Sequence, residues 1–566
     1  MALDQLKLEV LWNRLIATVN EQAAALMRTS FTSIVREAGD LSAGVFDRRG
    51  RMVAQAVTGT PGHINAMATC MHHLLGAYPV DTLNEGDVLI TNDPWMTAGQ
   101  LNDITIVTPV FKNGRCVGFF GNCCHALDIG GRGLSADSRE IFEEGLQIPI
   151  LKLYDAGKPN ETLYALLKAN VRTPEEVMGD LHSQVVGNEV GARQLLAFMA
   201  DFGLDDIEEV ADAIVERSEA AMRDRIAALP DGTYGFEMMT DGFDTPIKLV
   251  CTVTIAGTEL TVDYEGTSDA VDRGINVALN YSAAYTTYGI KCAISPDIPN
   301  NEGSFRPVKV TAPLGSILNC QHPSPVAGRH LVGHFLPSLV FGALEEILPE
   351  KVMAASFDAL WDSQVYGDRP EGGRFAYVWF AAGGVGAIHG RDGMSATAFP
   401  SAIAGIQSEM IEALVPIFIA KRELVADSGG AGRWRGGLAQ SFTLGVRGGK
   451  PFTFSGLYDR MHHAAAGLAG GQPGAVGKIT TRSGDPLRAK TRNTLPGDEE
   501  VTLELPGGGG YGNPHERPAD SVRADVEAGY VSAERARSDY GVAIDPKSLA
   551  IDEAETARLR AAMAAA

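Results

Sequence analysis

Residues 104–125 read ITIVTPVFKNGRCVGFFGNCCH. Two apolar runs of strand length flank Asn113-Gly114, a dipeptide suited to the left-handed backbone of a two-residue hairpin turn. A chain with this segment builds an antiparallel sheet. Polar residues crowd its open ends: TNDPWMTAGQLND precedes it, with Asp93, Gln100, Asn102 and Asp103, and HALDIGG closes it, with His125 and Asp128. Strand ends on one edge of a sheet can bring such groups together. Upstream, REAGDLSAGVFD sets Asp40 at a turn before another strand, and Arg49-Gly50 turns that strand into the next.

The chain has 566 residues, too many for one core. Leu8, Leu11, Leu15, Val19, Ala23 and Met27 recur at helical spacing, which predicts an amphipathic helix over residues 5–28. Helices are also expected from His63 to Ala77 and between Thr173 and Ala228. KLVCTVTIAGTELTVDYEG then alternates, with Cys251, Val253 and Ile255 on one face and Leu260, Val262 and Tyr264 after the Ala256-Gly257 turn. Helices near 331–348 and 402–419 interrupt a β-richer region. Residues 425–510 are Gly-rich and strand-like, and the chain beyond PGGGGYGNP is charged and helical. The expectation is an α+β, multidomain fold with mixed sheets and packed helices, a β-rich C-terminal half and a helical tail. Its parts are residues 1–235, 236–515 and 516–566.

A formal net charge of -22 argues against a nucleic-acid partner and an anionic membrane surface. No apolar run approaches the ~20 residues of a membrane span. The N-terminus lacks a basic start followed by an apolar core, and the seven cysteines form no CxxC pair. A cytoplasmic protein with reduced thiols is expected. Neither GVRGGKPF nor PGAVGKIT has P-loop spacing. GGGGYG at Gly507–Gly512 matches GxGxxG but is followed by NPHERP rather than a helix, so a tight turn, touching a partner chain, is the reading. No GxSxG nucleophile elbow occurs.

Asp40, Asp103 and His125 admit two readings. They make an open site for a divalent cation, or the carboxylates cap turns and the histidine is an ordinary hydrogen-bonded one. Asn300, Asn301 and Arg306 in PDIPNNEGSFRPV either present donors to an anionic substrate group or form a rigid loop. His330 and His334 share a helix face without an HExxH pattern, and His462-His463 are adjacent and point apart.

Many segments resemble the hydantoinase B family: the B subunits of ATP-dependent hydantoinases and lactamases, the related region of 5-oxoprolinases, and subunits of acetone and acetophenone carboxylases. They include REAGDLSAGVFDRRGRMVAQ, GDVLITNDPW, NDITIVTPVF, HALDIGGRG, EEGLQIPILKLY, YEGTSD, PDIPNNEGSFRPV, GRWRGG and GGGGYGNPHERP, ordered from residue 36 to residue 518. The resemblance implies a metal site at Asp40, Gln100, Asp103 and His125, with Asp40, Asp103 and His125 catalytic. Gln100 departs from the pattern, where a histidine is expected. A neutral amide oxygen suits Mn²⁺ or Mg²⁺ better than Zn²⁺. A harder ion, substitution by His63 of TGTPGHINAM, or loss of the metal are the three outcomes. The implied function is a subunit of an ATP-dependent cyclic-amide hydrolase. An A-type ATPase partner would bind ATP and phosphorylate the amide. The alternatives are a ketone carboxylase subunit and a non-catalytic partner of the ATPase.

Overall fold

The computed structural model describes residues 5–565. It divides into two compact units. One holds the chain up to Tyr234, Cys251–Leu336 and Ser401–Ala404; the other holds Gly235–Val250, Pro337–Pro400 and the chain from Gly405 on. The three parts expected from sequence thus become two units, because residues 251–336 pack with the N-terminal region and the tail with the region before it. The α+β character, the mixed sheets, the β-rich C-terminal half and the helical tail are as expected.

The first unit is built on a seven-stranded sheet, in the order Met52–Gln55, Leu41–Phe46, Arg115–His125, Asp103–Lys112, Val88–Thr91, Leu151–Asp155, Lys158–Pro159. The hairpin turns at Asn113-Gly114, with Asn113 at φ 54° and Gly114 at φ 76°. Both faces of its strands are buried, and the period-2 alternation divides their side chains between two cores. Leu41, Ala43, Val45, Phe120 and Cys124 join a core with helices Gln5–Thr29, Pro174–Phe202 and Glu208–Ala227. Phe46, Val107, Phe119 and Cys123 join another with helix Pro61–Ala77. Cys123 and Cys124 therefore face opposite ways, and all seven thiols are free.

Helix Gln5–Thr29 buries Leu8, Leu11, Leu15, Val19 and Ala23 as its spacing predicts. Helix Leu279–Ile294 belongs to this unit because it packs on helix Pro61–Ala77. A Cβ on Gly62 would stand 2.6 Å from the rings of both Tyr281 and Tyr285, so only glycine permits the approach. The hairpin after Ala256 pairs Leu260 with Ile255 and Val262 with Val253, all buried, as the alternation requires.

The second unit contains two four-stranded sheets and an unusual core. One sheet is ordered Arg374–Ala381, Trp361–Asp368, Phe452–Leu457, Arg492–Leu495; the other Ile417–Leu424, Gln440–Val446, Glu500–Glu504, Lys478–Thr481. The expected helix over 402–419 is cut to Ser408–Leu414, and the β-branched run after it forms a strand. Gly507–Gly510 are not a tight turn. They run among segments near residues 355, 385, 430 and 472, bonded to them through backbone alone: Gly508 N–H donates to Gly437 O (3.0 Å), Gly430 N–H to Gly508 O (2.8 Å) and Gly509 N–H to Ala355 O (2.8 Å). A Cβ on Gly508 would lie 2.2 Å from Val385 O, and one on Gly436 2.0 Å from Gly508 O. Main chain packs on main chain here, and the N–H groups of Gly507 to Gly510 each donate to a carbonyl of another segment. Helices Ala519–Glu527 and Ala533–Tyr540 close a small core on Ala431 with Val522, Val531 and Tyr540.

Candidate functional site

Three neighbouring strands bring three predicted residues to one edge of the large sheet. Asp103 begins one strand and His125 ends the next, directly opposite in register. Leu41 opposes Cys124, and His125 N–H donates to Asp40 O (3.3 Å), so Asp40 lies on the other side of His125. By strand parity His125 shares the face of Cys123, and Asp103 that of Val107. This is the face covered by helix Pro61–Ala77.

That helix supplies His63. Pro61 starts it, and Thr60 turns its hydroxyl to Asp40 Oδ1 (3.2 Å) instead of capping the helix. His63 Nε2 is 3.1 Å from Asp103 Oδ2, and Nδ1 is 3.7 Å from Asp40 Oδ1. The histidine named only as a substitute ligand is thus a full member of the site.

Gln100 Nε2 donates to Asp103 Oδ1 (2.9 Å) and lies 3.0 Å from His125 Nδ1, which is itself 3.0 Å from Asp103 Oδ1. A carboxylate only accepts, which fixes the Gln100 amide with nitrogen toward Asp103 and oxygen away. Gln100 Oε1 and His63 Nδ1 are buried without a hydrogen-bond partner among the described residues.

Arg329 was missed as a site residue. Its guanidinium donates to Asp103 Oδ2, its Nε donates to Ala98 O (3.0 Å), and it stacks 4.4 Å over the ring of Tyr281. That ring is held among Gly62, Gly99 and Gly333, where any Cβ would meet it at 3.2 Å or less. Its signal in the sequence is GRHLVGH, where Arg329 stands beside two histidines. His334 Nε2 instead lies 3.2 Å from Tyr281 OH.

The loop bearing Arg329 is pinned from below. Glu144, buried, accepts from Val326 N–H (2.9 Å) and Ala327 N–H (3.0 Å), and from Ser138 Oγ. Asn276 Nδ2 donates to Pro325 O (3.0 Å). Burial pushes the Glu144 carboxyl up to about 7, against the lowering effect of those hydrogen bonds.

The site is closed: Asp103 is 0% exposed, His63 1%, Gln100 2%, His125 3%, Asp40 4% and Arg329 5%. Burial opposes charge on Asp103, yet His63, Arg329 and His125 hold its carboxyl well below the ordinary carboxylate range. Burial also opposes charge on His63, and the two carboxylates override it and raise the imidazole.

The residues as placed do not fit a divalent cation. Asp103, the central carboxylate, is engaged on Oδ1 by Gln100 and His125 and on Oδ2 by His63 and Arg329. Gln100 turns its nitrogen inward. Among the described residues no group of three or more His, Cys, Asp or Glu is disposed to hold a metal ion.

The other candidates lie apart from this cluster. Asn301 caps the short helix Glu302–Phe305 in a capping box, and Arg306 pairs with Glu219 (3.0 Å). Asn300 lines a separate cavity. Asp128 holds the Arg172 guanidinium (2.7 Å). Asp93 accepts from Trp95 N–H (3.0 Å) and Gln147 Nε2 (2.9 Å). In the second unit, the N–H groups of Met461, His462 and His463 converge on Asp241, which fixes a turn.

The sequence model of the family described as hydantoinase B/oxoprolinase matches residues 4–514. The chain belongs to this family. Among relatives of this hydantoinase B/oxoprolinase chain, the B subunit of a putative D-/L-hydantoinase from Pseudomonas sp. (strain NS671) is 30% identical over 99% of this chain and 98% of its own. The beta subunit of the caprolactamase from Pseudomonas jessenii is 31% identical over 99% of each. The crystal structure of the ATP-dependent caprolactamase from Pseudomonas jessenii matches with a TM-score of 0.91, at 30% identity, over 99% of this chain and 100% of that one. A nucleotide-free acetone carboxylase chain matches with a TM-score of 0.88 over 98% of this chain and 83% of that one. At 21% identity, that likeness shows a shared fold. No helix among the described residues is long and apolar enough to cross a membrane.

Proposed function

We propose that this chain is the B subunit of an ATP-dependent cyclic-amide hydrolase that opens a hydantoin, lactam or oxoproline-like ring together with an A-type ATPase partner. The observation that carries the reading is the end-to-end likeness to the caprolactamase beta chain, in sequence and in fold. A ring amide resists water because its nitrogen delocalises into the carbonyl. Phosphorylation of the amide oxygen by the partner, which binds the ATP, removes that protection. The absence of P-loop spacing in this chain agrees with divided labour.

The site's own residues supply proton handling. Asp103 and Asp40 raise the His63 imidazole above its ordinary range, its Nδ1 is buried without a hydrogen-bond partner among the described residues, and in its protonated form it can give that proton to a departing ring nitrogen. Asp40, across from it, takes the proton of the attacking water. Asp103 orients His63 and His125, and Arg329 keeps Asp103 charged.

The test is coexpression with an A-type ATPase chain and measurement of ADP release coupled to ring opening. ATP-dependent release of a ring-opened amino acid supports the reading. Ring opening by this chain alone without ATP sinks it. A strict bicarbonate requirement with a carboxylated product would place the complex with the ketone carboxylases instead.

A further inference from the structure

A second cavity, of about 500 Å³, lies in the same unit between helix Pro61–Ala77, helix Leu279–Ile294 and the chain before Glu302. Its volume suits a small molecule, and its wall is largely apolar, with Ile16, Val57, Ile64 and Ile298 among its residues. Gly59, Pro61 and Ile64 line it on either side of Thr60 and His63, whose side chains turn to Asp40 and Asp103 instead.

Two donors are left over in that wall. Lys291 Nζ donates to Ile298 O (2.8 Å), and among the described residues no carboxylate lies within ion-pair distance of it. The nearby Asp297 is committed to Arg225 (2.8 Å). Burial lowers the Lys291 ammonium to about 8, as an ammonium short of a counter-charge behaves.

The second donor follows from a directional relay. Asn65 Nδ2 must donate, because Ala284 O (3.1 Å) only accepts. Asn65 Oδ1 is then left to accept from Asn300 Nδ2 (2.8 Å), and that same nitrogen donates to Gln55 Oε1 (2.6 Å). Gln55 Nε2 is the outer end of the relay and has no partner among the described residues. Two of the three ammonium N–H groups of Lys291 and the amide N–H₂ of Gln55 thus have no acceptor among the described residues, on a wall that is otherwise largely apolar.

We propose that this cavity is a binding site for a small monocarboxylate with an apolar body, its carboxylate on Lys291 and Gln55 and its hydrocarbon against Ile16, Val57, Ile64 and Ile298. The inference rests on the cavity and not on the hydrolase reading, so either can fail alone.

The probe is 3-phenylpropanoate, titrated calorimetrically into the full chain without ATP or partner, beside its uncharged isostere 3-phenylpropanamide. Saturable binding of the acid, at least ~10-fold tighter than the amide, is expected from a charge-assisted pair. Lys291→Met should remove that preference, and Lys291→Arg should keep most of it. Equal affinity for acid and amide in the wild-type chain overturns the proposal without any variant, as does the absence of saturable binding. An unchanged preference in a folded Lys291→Met, checked by circular dichroism, overturns it as well.

Discussion

His63 Nε2 stands 3.1 Å from Asp103 Oδ2, although 40 positions of sequence and two different kinds of element separate them. One lies in the first turn of a helix and the other is the first residue of a strand. Their pairing joins a helix to the edge of the sheet it covers, and it places a titratable group between two buried carboxylates.

His63→Gln keeps the size and a donor but cannot carry a proton. In the complex with its ATPase partner, ring opening should fall by ~10²-fold or more. Stability should change with pH in a set direction. The folded imidazole is raised above its ordinary 6.5, so its stabilisation is complete below that value and is lost as pH rises through the folded value. Thermal denaturation across this range should therefore show wild type losing stability that His63→Gln does not lose. Parallel curves for the two chains would contradict the geometry.

Asp103→Asn removes the counter-charge of a buried arginine. Leaving Arg329 uncompensated should cost ~3–5 kcal/mol of unfolding free energy in denaturant titrations. The double variant Asp103→Asn/Arg329→Met should recover part of that loss. Strict additivity of the two single changes would show that the pair is not coupled.

Glu144 should make the chain less stable as pH rises. Its folded value of about 7 lies above the unfolded 4.5, so the folded state binds the extra proton between those limits. Below 4.5 both states are protonated and nothing changes. Across the window stability falls, by roughly 3 kcal/mol in total at 1.36 kcal/mol per pH unit. Glu144→Gln, which still accepts from Val326 and Ala327, should flatten that slope. The gap between variant and wild type should be larger at pH 8 than at pH 4.5.

Gly508→Ala forces a methyl group to within 2.2 Å of Val385 O, against main chain that cannot rotate away. A loss at or above the ~1–3 kcal/mol of ordinary overpacking is expected. Gly76→Ala is the contrast, since it lies in helix Pro61–Ala77 with nothing within 4 Å of a built Cβ. It should stabilise by ~0.5–1 kcal/mol. Equal effects from the two would mean that backbone packing does not govern the glycine-rich core.

Gln100→His exchanges an amide nitrogen for an imidazole that can turn a lone pair inward, beside His63 and His125. Purified and dialysed in zinc, this variant should retain more metal than the wild-type chain by elemental analysis. Equal, near-zero retention by both would show that Arg329 and the saturated Asp103, rather than residue 100, keep a cation out.

Periodicity and turn chemistry determined the local structure. The Asn113-Gly114 hairpin, the amphipathic helix of Leu8 to Ala23 and the alternating hairpin at Ala256-Gly257 follow from residue types a few positions apart, where near neighbours set the conformation. The register that the hairpin turn sets would put Asp103 opposite Cys124, and a bulge between Val110 and Phe111 moves its partner to His125. Ordered motifs from residue 36 onward carried the family as well. The remainder was decided by contacts between residues distant in the chain, which no local pattern encodes. Arg329 reaches Asp103 across 226 positions because a loop held by Glu144 and Asn276 aims it there. Gln100 turns its nitrogen inward only because a carboxylate faces it. Gly507–Gly510 read as a turn on their own, and become a buried segment of bare backbone because four other segments close around them to within a distance no side chain allows.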